Sequence, residues 1–586
     1  MKKITCCLTV IIIILSITFC ITVAASVSDV KDSQIVAESI ILGVGSNETE
    51  RCLAYFSDMS DGGEVWLAKS NEIVDGCFPK DHKTFYPITA PASNIENKYA
   101  KAVTLTGLVE NTKYAYVITA NDVFSDIYYF NTDGSQDYEF VFVGDPQLST
   151  QSHALSWNDT LKKISKDLNV NILISAGDQV TTPDSEEHYS YLTQSKLASI
   201  AFAPTVGPSH DSVSSTFKDH YNLPNLSEEY GANETSANYW YTYNNTLFMH
   251  LNMSDSSAAT NGEHKSFMKE AIELNPGITW KIVVMHNSLF STGMHGDPNY
   301  KYYESEIGKY RPALAPIFNE LDIDIVLSGH DHVYLRTHMM NGLNQSSDVI
   351  ENNTTTSPEG VLYLCASSSS GSKFYDQFFE ADFSAYDNYE KRKSAVKFSV
   401  TDSSITLNSY FLDDMSVFDT FTIYKTPHVC SLTPVKEVPS TCTEEGKKAY
   451  YTCKCGRSYQ DAEGSTLINN ISTWGVIKMK EHEWRPATCT VPGMCAGCRK
   501  INEYPEGHIY SDKYDKTCNI CQEIREAPDK PNTNDCTGGE TDNSPSSDKI
   551  KNTDNGIPLI IGVSIGALVL ISAAAAIRVF VIKRKK

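Results

Sequence analysis

The chain has 586 residues and a formal net charge of −23, so it is long enough for several domains. So acidic a balance argues against nucleic acid as a partner. Met1 to about Ala25 reads as a secretory signal peptide: a Lys-Lys start, an apolar run from Leu8 to Val23, and small residues at Ala24-Ala25-Ser26.

From about Ile35 to Thr132, short alternating stretches separated by turn residues predict a small antiparallel β-sandwich, placed at 35–133. They include Ser39–Val44, Cys52–Phe56, Glu64–Leu67, Ala102–Leu105, Tyr114–Thr119 and Ile127–Phe130. The stretch Leu105–Tyr116 resembles the loop and strand of a fibronectin type III domain. Cys52 and Cys77 are candidates for a disulfide there.

Over 138–425 the pattern changes to apolar runs alternating with helical stretches, one of them an amphipathic helix over Leu155–Leu168. This predicts a mixed α/β sandwich. Glu139-Phe-Val-Phe-Val-Gly-Asp145 and Val170-Asn-Ile-Leu-Ile-Ser-Ala-Gly-Asp178 each end at a carboxylate. Trp280-Lys-Ile-Val-Val-Met-His286 ends at an imidazole, and Ile323-Asp-Ile-Val-Leu-Ser-Gly-His-Asp-His332 ends at two. Residues leaving a strand sit at the carboxyl edge of the sheet, where open α/β sheets place ligands. Two histidines two apart in extended backbone reach the same side. Hard carboxylates beside imidazoles suit a two-metal hydrolytic site, in which the ions acidify a shared water and hold phosphoryl oxygens.

Cysteines concentrate over 428–526. His482 with Cys489, Cys495-Ala-Gly-Cys498, His508 and Cys518-Asn-Ile-Cys521 read as imperfect repeats of a small module, preceded by Cys442, Cys453 and Cys455. Disulfides and zinc both remain open for them. Residues 527–556 read as a flexible stalk. An uncharged apolar run at 557–578 has the roughly 20 residues that, at ~1.5 Å each, cross a ~30 Å hydrocarbon core. The basic tail at 579–586 belongs inside. This is the pattern of a single-pass type I protein of the plasma membrane with its ectodomain outside. Asn-x-Ser/Thr triplets at Asn47, Asn158, Asn225, Asn233, Asn244, Asn252, Asn344, Asn352, Asn353 and Asn470 fit a glycosylated ectodomain.

Five motifs together resemble the metallophosphoesterase superfamily, in its purple acid phosphatase-like branch with an N-terminal fibronectin-like domain. They are Gly144-Asp-Pro-Gln147, Gly177-Asp-Gln179, Gly207-Pro-Ser-His-Asp211, Val283-Val-Met-His286 and Gly329-His-Asp-His332, with Gly371-Ser-Lys-Phe-Tyr375 near the end of the matching region. The resemblance implies Asp145 and His332 on one metal, Asp178 bridging, and His286 with His330 on the second. Ser209 stands where the family has an asparagine that coordinates the second metal. His210 and His295 would face the phosphate, as general acid or as hydrogen-bond donors to the leaving oxygen. The implied cofactors are two divalent or trivalent ions (Fe, Zn or Mn).

Three positions depart from the family pattern. Thr181 replaces a tyrosine, which removes a phenolate ligand and with it a reason for ferric iron. Gln147 replaces a histidine common in the wider superfamily. Pro208-Ser209-His210 replaces Gly-Asn-His, giving the second metal a shorter and poorer ligand. The expected activity is that of a cell-surface, acid phosphatase-like phosphoesterase acting on small phosphomonoesters through a metal-activated hydroxide. The alternative is a catalytically weakened relative kept as a surface binding or adhesion protein. The sequence names no protein partner.

Overall fold

The computed structural model describes residues 35 to 529 apart from 135–136, 212–215, 256, 426–430, 454–456, 469–470, 472 and 506. The expected signal peptide, membrane span and basic tail, and all but the first residues of the stalk, lie outside the described residues. Among the described residues no helix is long and apolar enough to cross a membrane.

Two sheets face each other across the centre of the first compact unit, Met1–Met479. In the 11-stranded sheet, Tyr138–Val143, Ile172–Ser175 and Ala201–Pro204 run parallel to one another. In the seven-stranded sheet, Thr246–Leu251, Trp280–Met285, Ile325–Ser328 and Leu362–Cys365 do the same. Strand side chains alternate between faces. Phe140, Phe142, Ile172 and Ile174 therefore pack inward against Phe248, Ile282, Val284 and Leu327 of the facing sheet. Val141, Val143 and Leu173 face outward onto Trp157 and Leu161 of the helix Gln151–Lys163. On the other side Val283, Met285 and Val326 meet Phe267 and Leu314 from the helices Glu263–Leu274 and Ile307–Glu320. Both faces of each parallel strand are buried, which is why these segments read as unbroken apolar runs.

The first of these helices starts earlier than the expected Leu155–Leu168. Thr150 caps it, its Oγ1 accepting the His153 N–H at 3.2 Å. The last turn, Ile164–Leu168, widens and ends at Asn169 in left-handed backbone, φ 52°.

The expected N-terminal sandwich is present, with one correction to its separateness. Glu38–Val44 pairs with Arg51–Ser57, and also in parallel with Ala201–Pro204 at Gly43↔Phe202. One sheet of the sandwich therefore continues the catalytic sheet. Its other sheet holds Glu64–Lys69 and Lys113–Ala120, and Leu42, Leu53, Val65, Leu67, Tyr116 and Ile118 fill the space between. The expected Cys52–Cys77 disulfide does not form. Cys52 is a buried thiol facing Thr104 Oγ1 at 3.8 Å, whereas Cys77 is disulfide-bonded.

The expected Cys/His-rich stretch 428–526 is not one body. Its first part belongs to the first compact unit, and Arg457 donates from Nε to the Gly277 carbonyl at 2.9 Å. The second unit begins at Lys480.

Candidate metal centre

All four predicted strand ends come together where the carboxyl edges of the two facing sheets adjoin. Asp145, Asp178 and His286 each offer a ligand atom within 4.8 Å of the others. His286 Nε2 lies 3.3 Å from Asp178 Oδ2 and 3.8 Å from Asp145 Oδ1. His330 Nδ1 is 3.2 Å from His286 Nε2, and His332 Nε2 is 3.8 Å from Asp145 Oδ1.

The backbone at this edge adopts a conformation that side-chain-bearing residues rarely take. Asp145 (φ 28°), Gln147 (43°), Asp178 (48°), His330 (73°) and His332 (48°) are all left-handed. Each such residue costs of order 1–3 kcal/mol, and such strain gathers at functional sites. Here the cost has an identifiable return. The turn at His330 aims its N–H at both oxygens of Asp145, 3.0 Å away. The glycines allow the backbone close: a Cβ at Gly207 would overlap the Asp178 carboxylate, and one at Gly329 would overlap that of Asp145.

Second partners fix the imidazoles. His286 Nδ1–H donates to the Ala176 carbonyl at 3.0 Å, which turns Nε2 toward the carboxylates. His332 Nδ1–H donates to the Lys373 carbonyl at 3.1 Å and presents Nε2. His330 Nε2 and His295 Nδ1 both face Glu306 Oε2, each at 3.4 Å. A carboxylate on the far nitrogen of a ligand histidine fixes tautomer and ring orientation and raises basicity.

Burial pushes the Asp145 carboxyl up to about 7 against the pull of His286. Burial also opposes ionisation of Asp178, but the charge of His286 and its hydrogen bond outweigh it and hold Asp178 below the ordinary carboxylate range. Burial disfavours charge on His286, yet Asp178 and Asp145 carry it up to about 10. Burial and then Lys373 bring His332 down to about 3, a neutral imidazole suited to ligation. Glu306 is resisted by burial and drawn down to about 2 by its hydrogen bonds with His295 and His330.

The residues fit a dinuclear cation site. Asp178 Oδ1 is buried with no hydrogen-bond partner among the described residues, a position that is costly for a carboxylate oxygen and suited to a hard cation. The donor set of two carboxylates and three imidazoles matches that reading.

His210 reaches the edge of the group. Its Nδ1–H donates to the Thr181 carbonyl at 2.8 Å, and its Nε2 is 4.0 Å from Asp178 Oδ2. His295 is placed by Asp331, the residue between the two histidines of the last motif, which accepts the His295 N–H at 2.9 Å and the Gly296 N–H at 3.2 Å. The His295 ring lies 4.1 Å from that of His330.

Ser209 is not brought in. It is exposed, and its hydroxyl makes no hydrogen bond with the site's carboxylates or imidazoles among the described residues. Asp211 shapes that loop instead, its buried carboxylate accepting the Gly207 N–H and the Gln179 N–H, each at 2.9 Å. Gln147 spends its N–H on the Asp178 carbonyl at 2.8 Å, and Thr181 uses its hydroxyl on the Gln147 carbonyl at 3.2 Å.

Sequence reasoning missed Glu306, which stands just ahead of a helix and follows no apolar run. The motif Gly371-Ser-Lys-Phe-Tyr375 likewise assigns no role to Lys373 or Tyr375. The Tyr375 ring lies 5.2 Å from that of His332 and 5.8 Å from that of His295.

The calcineurin-like phosphoesterase family matches residues 138–334. Among solved structures the chain is similar to a purple acid phosphatase from yellow lupin (Lupinus luteus) seeds, at 15% identity over 67% of this chain and 75% of that one, with a TM-score of 0.54. PhoD is similar at 11% identity over 78% of this chain and 96% of that one, with a TM-score of 0.46. At 15% identity the likeness to the lupin phosphatase is one of fold. A search of curated protein sequences found no match.

Proposed function

We propose that this chain, whose residues 138–334 match the calcineurin-like phosphoesterase family, cleaves small phosphomonoesters at a dinuclear metal centre on the cell surface. The observation that carries this reading is the convergence of Asp145, Asp178 and His286 within 4.8 Å, with Asp178 Oδ1 left without a donor among the described residues.

Asp145 and His332 would hold one ion, His286 and His330 the other, and Asp178 both. When bound, the ions supply Lewis acidity that lowers the pKa of a water and takes up phosphoryl charge. Hydrolysis forms a P–O bond to the water oxygen and breaks the ester P–O bond, so the departing oxygen needs a proton. His210 would give it from Nε2 in its protonated form, Nδ1–H being tied to the Thr181 carbonyl and Nε2 lying 4.0 Å from Asp178 Oδ2. His295, held at Nδ1 by Glu306, would donate from Nε2 to a phosphoryl oxygen. The apolar segment at 557–578 and the start of the chain support a membrane-anchored, outward-facing placement.

The test is hydrolysis of p-nitrophenyl phosphate by the purified chain and by intact cells, with metal content measured on the same sample. We expect about two ions beyond any held by the cysteines of 428–526, turnover by intact cells, and loss of turnover by at least ~100-fold in Asp178→Asn and His330→Ala. Full metal loading with no turnover above these variants would favour a surface binding protein built on the phosphatase fold.

A further inference from the structure

The second compact unit, described from Lys480 to Asp529, has almost no apolar core. Its only buried residues are Cys489, Gly493, Cys495 and Cys518, among the described ones. Trp484, Val491, Ile501, Tyr504, Ile509, Ile520 and Ile524 are all exposed. About 50 residues without a buried aliphatic cluster need disulfides or a metal to hold a fold.

The cysteines are arranged for the second. Cys489, His508, Cys518 and Cys521 each offer one atom, all within 4.8 Å of one another. Cys489 Sγ lies 3.7 Å from Cys518 Sγ, and His508 Nδ1 lies 3.2 Å from Cys521 Sγ. A disulfide needs about 2.05 Å between sulfurs. A tetrahedron with Zn–S of about 2.3 Å and Zn–N of about 2.0 Å has edges of roughly 3.8 Å between sulfurs and 3.5 Å from sulfur to nitrogen. The separations match the tetrahedron.

Three further features point the same way. His508 Nε2 faces Glu523 Oε2 at 3.2 Å, which leaves the Nδ1 lone pair toward the sulfurs. The Ile520 N–H donates to Cys518 Sγ at 3.5 Å, a contact that favours thiolate. The Cys-x-x-Cys turn itself is built twice. Cys518 N–H donates to the Glu523 carbonyl and Gln522 N–H to the Cys518 carbonyl, at 2.9 and 3.0 Å, with Gln522 at φ 63°. Cys495 N–H donates to the Lys500 carbonyl and Arg499 N–H to the Cys495 carbonyl, each at 2.9 Å, with Arg499 at φ 61°. In that first copy His482 Nδ1 again faces the second cysteine, Cys498, at 3.4 Å. A repeated histidine beside a repeated turn is a ligand pattern, since neither packing nor a single disulfide requires it.

We propose that Cys489, His508, Cys518 and Cys521 bind one structural zinc ion, which does for this unit what an apolar core does for a larger one. Three thiols lose their protons to solvent as the ion binds, so the occupied site carries a charge of −1.

The test uses the full chain, purified without chelator. X-ray absorption at the zinc edge of the wild type should show sulfur neighbours at about 2.3 Å. The catalytic centre offers only oxygen and nitrogen, so sulfur at zinc must come from the cysteines. Zinc per chain should fall by about one in both Cys521→Ser and His508→Ala, with p-nitrophenyl phosphate turnover unchanged. Peptide mapping of the unreduced wild type should find Cys489, Cys518 and Cys521 alkylated only after zinc is stripped. A disulfide joining any two of these three, or zinc content unchanged in both variants, would overturn the proposal. The mapping decides even where a variant fails to fold.

Discussion

At the scale of single residues, the site depends on groups that hold ligands as much as on the ligands. Glu306 touches both His330 and His295 and stays ionised because those imidazoles outweigh its burial. Glutamine has the same shape but loses the charge that fixes the His330 tautomer. We expect Glu306→Gln to weaken metal affinity about 10–100-fold, with Glu306→Asp recovering part of it. Isothermal titration of the metal-free protein reads this directly. Equal affinity in wild type and Glu306→Gln would mean that the carboxylate only packs.

At the scale of elements, the strand that follows the last histidine motif is clasped to the opposite sheet. Arg336, on Tyr334–Thr337, donates from Nε and Nη2 to the two oxygens of Asp419 at 2.8 and 2.9 Å, and the Tyr334 hydroxyl adds a third bond at 2.7 Å. Asp419 lies on Val417–Tyr424 of the large sheet, and both charges are buried. Removing one partner leaves the other charge stranded, so Asp419→Ala should cost about 3–5 kcal/mol in urea unfolding. The double variant Arg336→Met with Asp419→Leu should lose much less, because neither charge remains. If the single variant loses under ~1 kcal/mol, water reaches this pair and the clasp is not a buried one.

At the scale of the whole molecule, the first unit carries an acid liability away from the metal ligands. Burial brings His220 and His250 down to about 3. His220 stacks on Tyr189 at 3.7 Å, meets the edge of Phe56 at 4.7 Å, and has no hydrogen-bond partner on either ring nitrogen among the described residues. His250 has one, Thr205 Oγ1 at 2.8 Å from Nδ1. In the unfolded chain both titrate near 6.5, so on acidification the unfolded state takes the proton first. Stability is then fullest above about 6.5 and falls as pH drops toward about 3, by at most ~1.4 kcal/mol per unit for each histidine. His220→Phe keeps the stacking and removes one proton, so its melting temperature should depend less steeply on pH between 6.5 and 4. A slope equal to wild type would show that another group sets the acid limit. Lower net negative charge at acid pH works the other way by reducing self-repulsion.

The sequence by itself determined what is local. Unbroken apolar runs, each followed by aspartate or histidine, marked the strands and put Asp145 and Asp178 at the carboxyl edge of one sheet and His286, His330 and His332 at that of the other, because strand direction decides which residues leave at the carboxyl end; only the packing of the two sheets brings those edges together. It also marked the Cys-x-x-Cys turns with their histidines. Tertiary structure decided what depends on distant segments meeting. Glu306 and the Lys373 carbonyl carry no periodicity, and they matter only because the chain returns them to His330 and His332. Ser209 looked like a ligand by its place in a motif, but Asp211 anchors that loop and Ser209 faces solvent. The pairing Gly43↔Phe202, which merges two expected domains into one sheet, is a backbone hydrogen-bond choice that side-chain pattern does not encode. The same holds for Cys489, whose meeting with Cys518, 29 residues along the chain, is settled by geometry rather than by spacing.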